Sequence, residues 1–510
     1  MNRKNLTTAV LAGLAGAAGF AATATAQTAP TMSLNPDGLG QVLLYPYYTT
    51  NGGNNTLLSV VNTTGKAKAV KVRFMEGQNT REVLDFNLYL SPYDVWTAAL
   101  LDGGVVDADC SIDNDLGLGE NGQCGVPHLL TTDSTCTVPY LFEDASTGPG
   151  LQSFLPFKYT GDDADGGPTT IDRAAEGHFE MIEMGELETG GVFATAADHT
   201  DVGVPTDCSI LVDAWTRSTN PSANGAWIVD PTDELEAPAG GLFGGAAVIN
   251  VENGFMFSYD AKAINGFANS VAPLGVPLHA EPGTVEPSLN SSDVFTATVF
   301  LDDGSVLASS GLTRSVDAVS FLFMHDQIAN EYSTEADING QTEWVVTFPT
   351  KSFYVDPDVN GNVVFPDAEA PFVVAWGPEG EDALSTACEP VILGIIPDRD
   401  AARDDVTDPY IISGIFDREE QSISPEFEDR PPIVSPAPPD PVIPIELFEL
   451  CYETNIIRFG GPVASIPEEE PASEIFGSAN FTNFDNTALG FESGWVNVEL
   501  VTYQLSLIHI

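Results

Sequence analysis

Apolar and polar positions alternate with a period of two in two stretches of the first hundred residues, 70–74 and 84–90, and other β-prone runs stand beside them. Residues 41–48 are an aromatic-rich run, 51–55 carry Asn/Gly turn chemistry, and 56–63 predict a second strand. Val70, Val72 and Phe74 alternate with Lys71 and Arg73, which predicts a strand with one wet face. Leu84, Phe86, Leu88 and Leu90 repeat the pattern before Pro92.

Residues 102–170 change character, being rich in Asp, Gly, Asn, Cys and Pro, and read as loops pinned by disulfides. A helical turn is expected near Arg173, followed by a strand at 179–184. Strands return at 248–251 and 255–259 around an Asn253–Gly254 hairpin turn. The last third predicts strands at 294–301, 318–324, 344–348, 352–355 and 363–365, with Asn339–Gly340 and Asn360–Gly361 at hairpin turns. Residues 431–444 form a proline-rich spacer or edge-covering loop. The expected fold is mainly β, with two or more immunoglobulin-like β-sandwich units and long disulfide-pinned loops. The expected divisions are 31–101 (N-terminal strands), 102–290 (a loop-rich middle with strands) and 291–504 (a C-terminal sandwich).

The start of the chain adds a compartment. Arg3 and Lys4 precede an apolar stretch at 9–22, and Ala24 and Ala26 give a small-x-small pattern before Gln27. Residues 1–26 therefore read as a signal peptide, shorter in its apolar part than a spanning helix needs. No later run is long enough to span; residues 391–396 are apolar but end at Pro397. The mature protein is expected to be exported to the periplasm, cell surface or medium, with no transmembrane segment. Residues 505–510 are what the adapter sequence CTG TCT CTT ATA CAC ATC encodes, so they read as a sequencing artefact, and His509 carries no argument.

Composition narrows the partners. The chain has 74 acidic and 18 basic residues, a net charge of −56, which excludes nucleic acid as a partner because phosphates need cationic neutralisation. Hydrophobic residues make up 43% with 28 Phe, so this is not a disordered acidic tail. Five of the bases (Lys66, Lys68, Lys71, Arg73 and Arg81) cluster, and would form a basic face able to dock on an acidic surface of a second copy. Solvated lysines guarding a strand edge are the plainer reading.

Cys110, Cys124, Cys136, Cys208, Cys388 and Cys451 are an even set without a CxxC pair. In an oxidising compartment three disulfides are expected. Cys388–Cys451 is the preferred pair, with Cys110–Cys124 and Cys136–Cys208 completing one of 15 pairings.

Candidate chemistry is thin. No GxSxG, HExxH or phosphate-loop signature is present. Glu176, Glu180 and Glu183 beside Arg173 and His178 are the best carboxylate cluster, with structural pairing as the plainer reading. Tyr45, Tyr47 and Tyr48 offer a sugar-stacking platform or alternate core positions. Asp356, Asp358, Asn360, Gly361 and Asp367 match the spacing of a calcium loop, with oxygens at positions 1, 3, 5 and 12. Calcium is thus the one cofactor the sequence suggests, against a simple Asn–Gly hairpin.

The runs at 79–86 (NTREVLDF), 90–96 (LSPYDVW), 176–180 (EGHFE) through Gly185, and 344–351 (WVVTFPTK) resemble a family of exported β-rich proteins of Gram-negative bacteria. That resemblance implies export and a β-rich fold and carries no activity or catalytic residue. The expected function is a non-enzymatic surface, matrix or assembly protein; the competing class is a secreted carbohydrate-active enzyme or sugar-binding protein.

Overall fold

The strand Lys68–Glu76 lies between Glu82–Leu90 and Glu176–Leu187 and is antiparallel to both. It is an interior strand of a ten-stranded sheet in a computed structural model of the chain. The structure describes residues 30–103, 126–141, 150–355, 447–461, 471–486 and 491–500, together with short strands at 389–393, 415–418, 505–506 and 508–509. Residues 162, 163, 166, 302, 303 and 326 within these stretches are outside the description.

Across that sheet the order is Val306–Ala308, Ala297–Phe300, Met32–Leu34, Lys262–Asn265, Val42–Thr49, Glu176–Leu187, Lys68–Glu76, Glu82–Leu90 and Cys136–Val138. Leu235–Glu236 joins beside Glu176–Leu187. A six-stranded antiparallel sheet runs Phe255–Asp260, Leu242–Asn250, Asn54–Asn62, Val95–Leu101, His128–Thr131 and Gly150–Ser153. Residues 31–101 and 102–290 therefore build the same two sheets.

The two sheets share a core. Leu43, Tyr45, Val72, Phe74, Phe86, Leu88, Phe179 and Met181 of the first meet Leu58, Val60, Trp96, Leu100, Leu129 and Leu242 of the second. The opposite face of the ten-stranded sheet presents Leu44, Tyr89, Ile182 and Met184 to Phe193, Leu211, Trp215 and Trp227 of three short helices. Covered on both faces, all twelve residues of Glu176–Leu187 are buried. Two strand glycines record close approaches. A Cβ at Gly177 would lie 2.0 Å from Met75 O, and one at Gly244 would lie 1.9 Å from the Tyr45 hydroxyl.

Further along, Gln327–Ser333, Ser493–Leu500, Glu389–Leu393 and Leu447–Leu450 form a five-stranded sheet with Ile415–Asp417. Phe481–Phe484, Thr454–Phe459, Thr342–Thr347 and Ile508–His509 form a four-stranded one, and Met324–His325 pairs with Leu505–Ser506. The chain is mainly β, with several sheets. Its two N-terminal sheets together hold sixteen strands, against seven to nine in an immunoglobulin domain.

Three local expectations are corrected. Residues 318–324, expected as a strand, belong largely to the helix Ser315–Leu322: buried Val316, Val319 and Phe323 recur at helical spacing, and Asp317 accepts from Arg314 N at 3.2 Å. Residues 352–355 are also helical, with Tyr354 N and Val355 N both donating to Lys351 O. Asn339–Gly340 does turn the chain, with Asn339 at φ 52°, but it passes from one sheet to another and closes no hairpin. Asn253–Gly254 closes one as expected, with Gly254 at φ 72°. Residues 363–365 and 431–444 lie outside the described residues.

Candidate functional site

The basic cluster does not form a docking face. Lys68 and Lys71 are wholly buried, Arg73 and Arg81 nearly so, and Lys66 alone is substantially exposed. Alternation had separated an apolar face from a polar one, but the polar face of Lys68–Glu76 is covered too. Its charges are therefore paired. Arg73 Nη1 donates to Glu180 Oε1 at 2.6 Å and its Nε to Glu82 Oε2 at 2.6 Å. Lys71 pairs with Asp85, and Lys68 with Glu183 at 2.6 Å and Glu186 at 3.0 Å.

The same pairs dispose of the carboxylate cluster as a glycosidase site. Glu176, Glu180 and Glu183 are buried, and burial raises all three carboxyls above the ordinary range against the pull of their partners. Glu183 also accepts from Ala239 N and Gly240 N at 3.1 and 2.7 Å. Glu176 accepts from Tyr47 Oη, Ser478 Oγ and Asn480 Nδ2 at 3.0, 2.7 and 3.1 Å, tying the ten-stranded sheet to the C-terminal part. Arg173 turns away from them to Asp165 and to Glu76, at 2.9 Å, and stacks 3.9 Å over the Tyr159 ring. Burial works against Asp165, but Arg173 and Asn79 bring its carboxyl down to about 2. His178 is buried with neither ring nitrogen bonded, and burial lowers its pKa to about 3. No proton-transfer pair reaches solvent here.

Tyr45, Tyr47 and Tyr48 are all fully buried and so form no sugar platform. Their hydroxyls donate to Ser59 O, Glu176 and Ala174 O.

Sequence spacing gave no sign of one further constellation. Ser91 Oγ lies 2.7 Å from His199 Nδ1, and Asp94 Oδ2 lies 3.7 Å from the same nitrogen. A Ser–His–Asp relay needs the hydroxyl and the carboxylate on opposite ring nitrogens. With both on Nδ1 and Ser91 buried, the group locks the 91–94 turn to the loop at 199.

A groove of about 620 Å³ opens on the outer face of the six-stranded sheet. Register puts Ser258, Ala247, Leu57, Ala99, Leu130 and Leu151 in one row across all six strands. Asp260, Gly245, Ser59 and Thr97 form the next, and Phe243 is 37% exposed beside them. Small side chains make the floor and hydroxyls with Asp260 the polar rim. The lining offers apolar contact and hydrogen-bonding hydroxyls, and it places no acid–base pair.

Cys136 and Cys208 are disulfide-bonded, joining the edge strand Cys136–Val138 to the helix Cys208–Ala214. Cys110, Cys124 and Cys388 lie outside the described residues, and so does the calcium candidate Asp356, Asp358, Asn360 and Asp367. Among the described residues no group of three or more His, Cys, Asp or Glu is placed to hold a metal ion, and no helix is long and apolar enough to cross a membrane. No protein-family model, curated protein or solved structure matches the chain.

Proposed function

We propose that the chain is an exported, acidic, non-enzymatic surface or matrix protein. One observation carries this reading: the acids and bases that stand out in the sequence are spent on one another inside the fold. Glu180 and Glu183 are held by Arg73 and Lys68, away from solvent. The buried bases are matched by buried acids, so the chain's large net negative charge stays on the outer surface, which favours a component of an ionic envelope over a catalyst for anionic substrates. The scaffold of this reading is two-layer sheet packing and does not require an immunoglobulin topology. Calcium at Asp356 to Asp367 remains part of the proposal on its spacing alone.

A saccharide chain in the outer groove is the second reading, favoured by the hydroxyls of Ser59, Thr97 and Ser258 beside Asp260 and the exposed Phe243. Fractionation of the producing cells, with glycoside and ester hydrolysis assays and a glycan array, separates the readings. Recovery of a chain beginning at Gln27 with the envelope or matrix, without turnover, is the expected result. Turnover abolished by Glu180→Gln or Asp260→Asn in a folded protein contradicts it. Array binding lost in Asp260→Ala selects the saccharide reading.

A further inference from the structure

The strand Phe255–Asp260 ends the six-stranded sheet. Ala261 N donates to Gly244 O at 2.9 Å, which fixes the phase of the ladder. Phe255, Phe257 and Tyr259 therefore spend their backbone groups on Leu242–Asn250, while Met256, Ser258 and Asp260 point theirs outward. Those outward groups take no partner among the described residues.

Protein edges are usually blunted by shortness, proline, lysine or a bulge. The other edges of the two N-terminal sheets are three or four residues long: Val306–Ala308, Cys136–Val138 and Gly150–Ser153. The edge Gln327–Ser333 is longer but polar, with Gln327, Asn330 and Glu331 exposed. Phe255–Asp260 has none of these protections. Its sequence FMFSYD is β-prone, its register runs through all six residues without a shift, and Met256 is 63% exposed.

We propose that this edge pairs with the same edge of a second copy, antiparallel about a two-fold axis at Ser258, so that two six-stranded sheets become one continuous sheet. The axis places Met256 of each copy opposite Asp260 of the other, so no carboxylates face each other. It also brings together the two ends of the strand. Exposed Glu252 precedes it, and exposed Lys262, which meets no carboxylate among the described residues, follows it, so each copy offers its lysine end to the other's glutamate end. Backbone hydrogen bonds and the flat apolar edge supply the attraction, and the overall negative charge opposes it. The salt response is therefore the reverse of an ion-pair dimer: association strengthens as salt screens the repulsion. The inference stands on the edge alone and does not require the groove to bind anything.

Analytical ultracentrifugation of the mature chain tests it, from about 20 mM to about 500 mM NaCl, where screening lengths shrink severalfold. The expected result is a dimer that gains population with salt, with dissociation raised at least about tenfold, or about 1.4 kcal/mol, in Ser258→Pro and in Met256→Lys. Ser258→Pro removes only an outward N–H. Met256→Lys leaves the backbone intact, so it decides the matter if the proline variant misfolds. A wild-type chain that stays monomeric up to about 100 µM at every salt concentration overturns the proposal. So does a dimer that a folded Met256→Lys leaves unchanged, or one that salt dissociates.

Discussion

Lys68 Nζ lies 2.6 Å from Glu183 Oε1, and neither side chain reaches solvent. The two residues stand 115 positions apart, and each faces the other's opposite charge inside the fold. Removing the lysine alone strands a buried carboxylate, so Lys68→Met is expected to cost about 3–5 kcal/mol. In Lys68→Met/Glu183→Gln the neutral glutamine keeps one of the two backbone donors, Ala239 N or Gly240 N, on its single oxygen and buries no charge, so part of the loss returns. Urea denaturation of the two single variants and the double variant reads the coupling.

Acid should loosen the fold through two histidines. His279 donates through Nδ1 to Pro231 O at 2.8 Å and accepts through Nε2 from Tyr89 Oη at 2.9 Å, inside a cage of Trp215 and Trp227. Burial lowers both His178 and His279 to about 3. A depressed histidine pKa means the unfolded chain takes up the proton first. The stability each contributes is complete above about pH 6.5 and falls by about 1.4 kcal/mol per pH unit between there and pH 3. Glu176, Glu180 and Glu183, with raised pKa values, act with the opposite sign, and only above about pH 4.3. Melting temperatures across pH 4 to 8 should show the slope, and His178→Leu should flatten it by one proton. Because neither His178 nitrogen is bonded, that variant should also gain about 1 kcal/mol at neutral pH.

The Arg173 hub is expected to reject lysine. A lysine keeps the charge but loses the forked contact to Asp165 and Glu76 and the stacking on Tyr159. Arg173→Lys should cost about 2–3 kcal/mol in equilibrium unfolding. A neutral outcome would show that the network is slack.

Reducing the protein should open the Cys136–Cys208 crosslink, which closes a loop of 72 residues. Cys136→Ala/Cys208→Ala should lower stability by about 2–4 kcal/mol and free the helix Cys208–Ala214 from its strand, measurable by denaturation with and without reductant.

Period-two alternation made Lys68–Glu76 and Glu82–Leu90 legible, because strand side chains point to two faces in turn, while Val42–Thr49 and Thr342–Thr347 were legible as aromatic and β-branched runs. The same alternation could not say that Lys71 and Arg73 were covered. It separates two faces by polarity and is silent on whether a second layer lies over the polar one; the partners that neutralise Arg73 include Glu180, 107 residues away. Ser315–Leu322 was misread because a short Val- and Phe-rich run suits strand and helix equally, and the deciding contact at Asp317 is local capping. The groove was invisible since its residues meet only through register across six strands, and the place of Phe255–Asp260 at a sheet edge is set by strands distant in sequence.

The central claim is that the charged clusters are interior and that the working surface is the outer face and edge of the six-stranded sheet. Hydroxyl-radical footprinting of the mature chain, free at low concentration and assembled on its native envelope, tests it most directly. The account predicts that Leu57, Phe243 and Met256, all exposed in the single chain, lose oxidation on assembly, while buried Met75 and Met181 stay unlabelled in both states. Equal oxidation of Leu57, Phe243 and Met256 in the two states, or strong labelling of Met181 in the free chain, would contradict it.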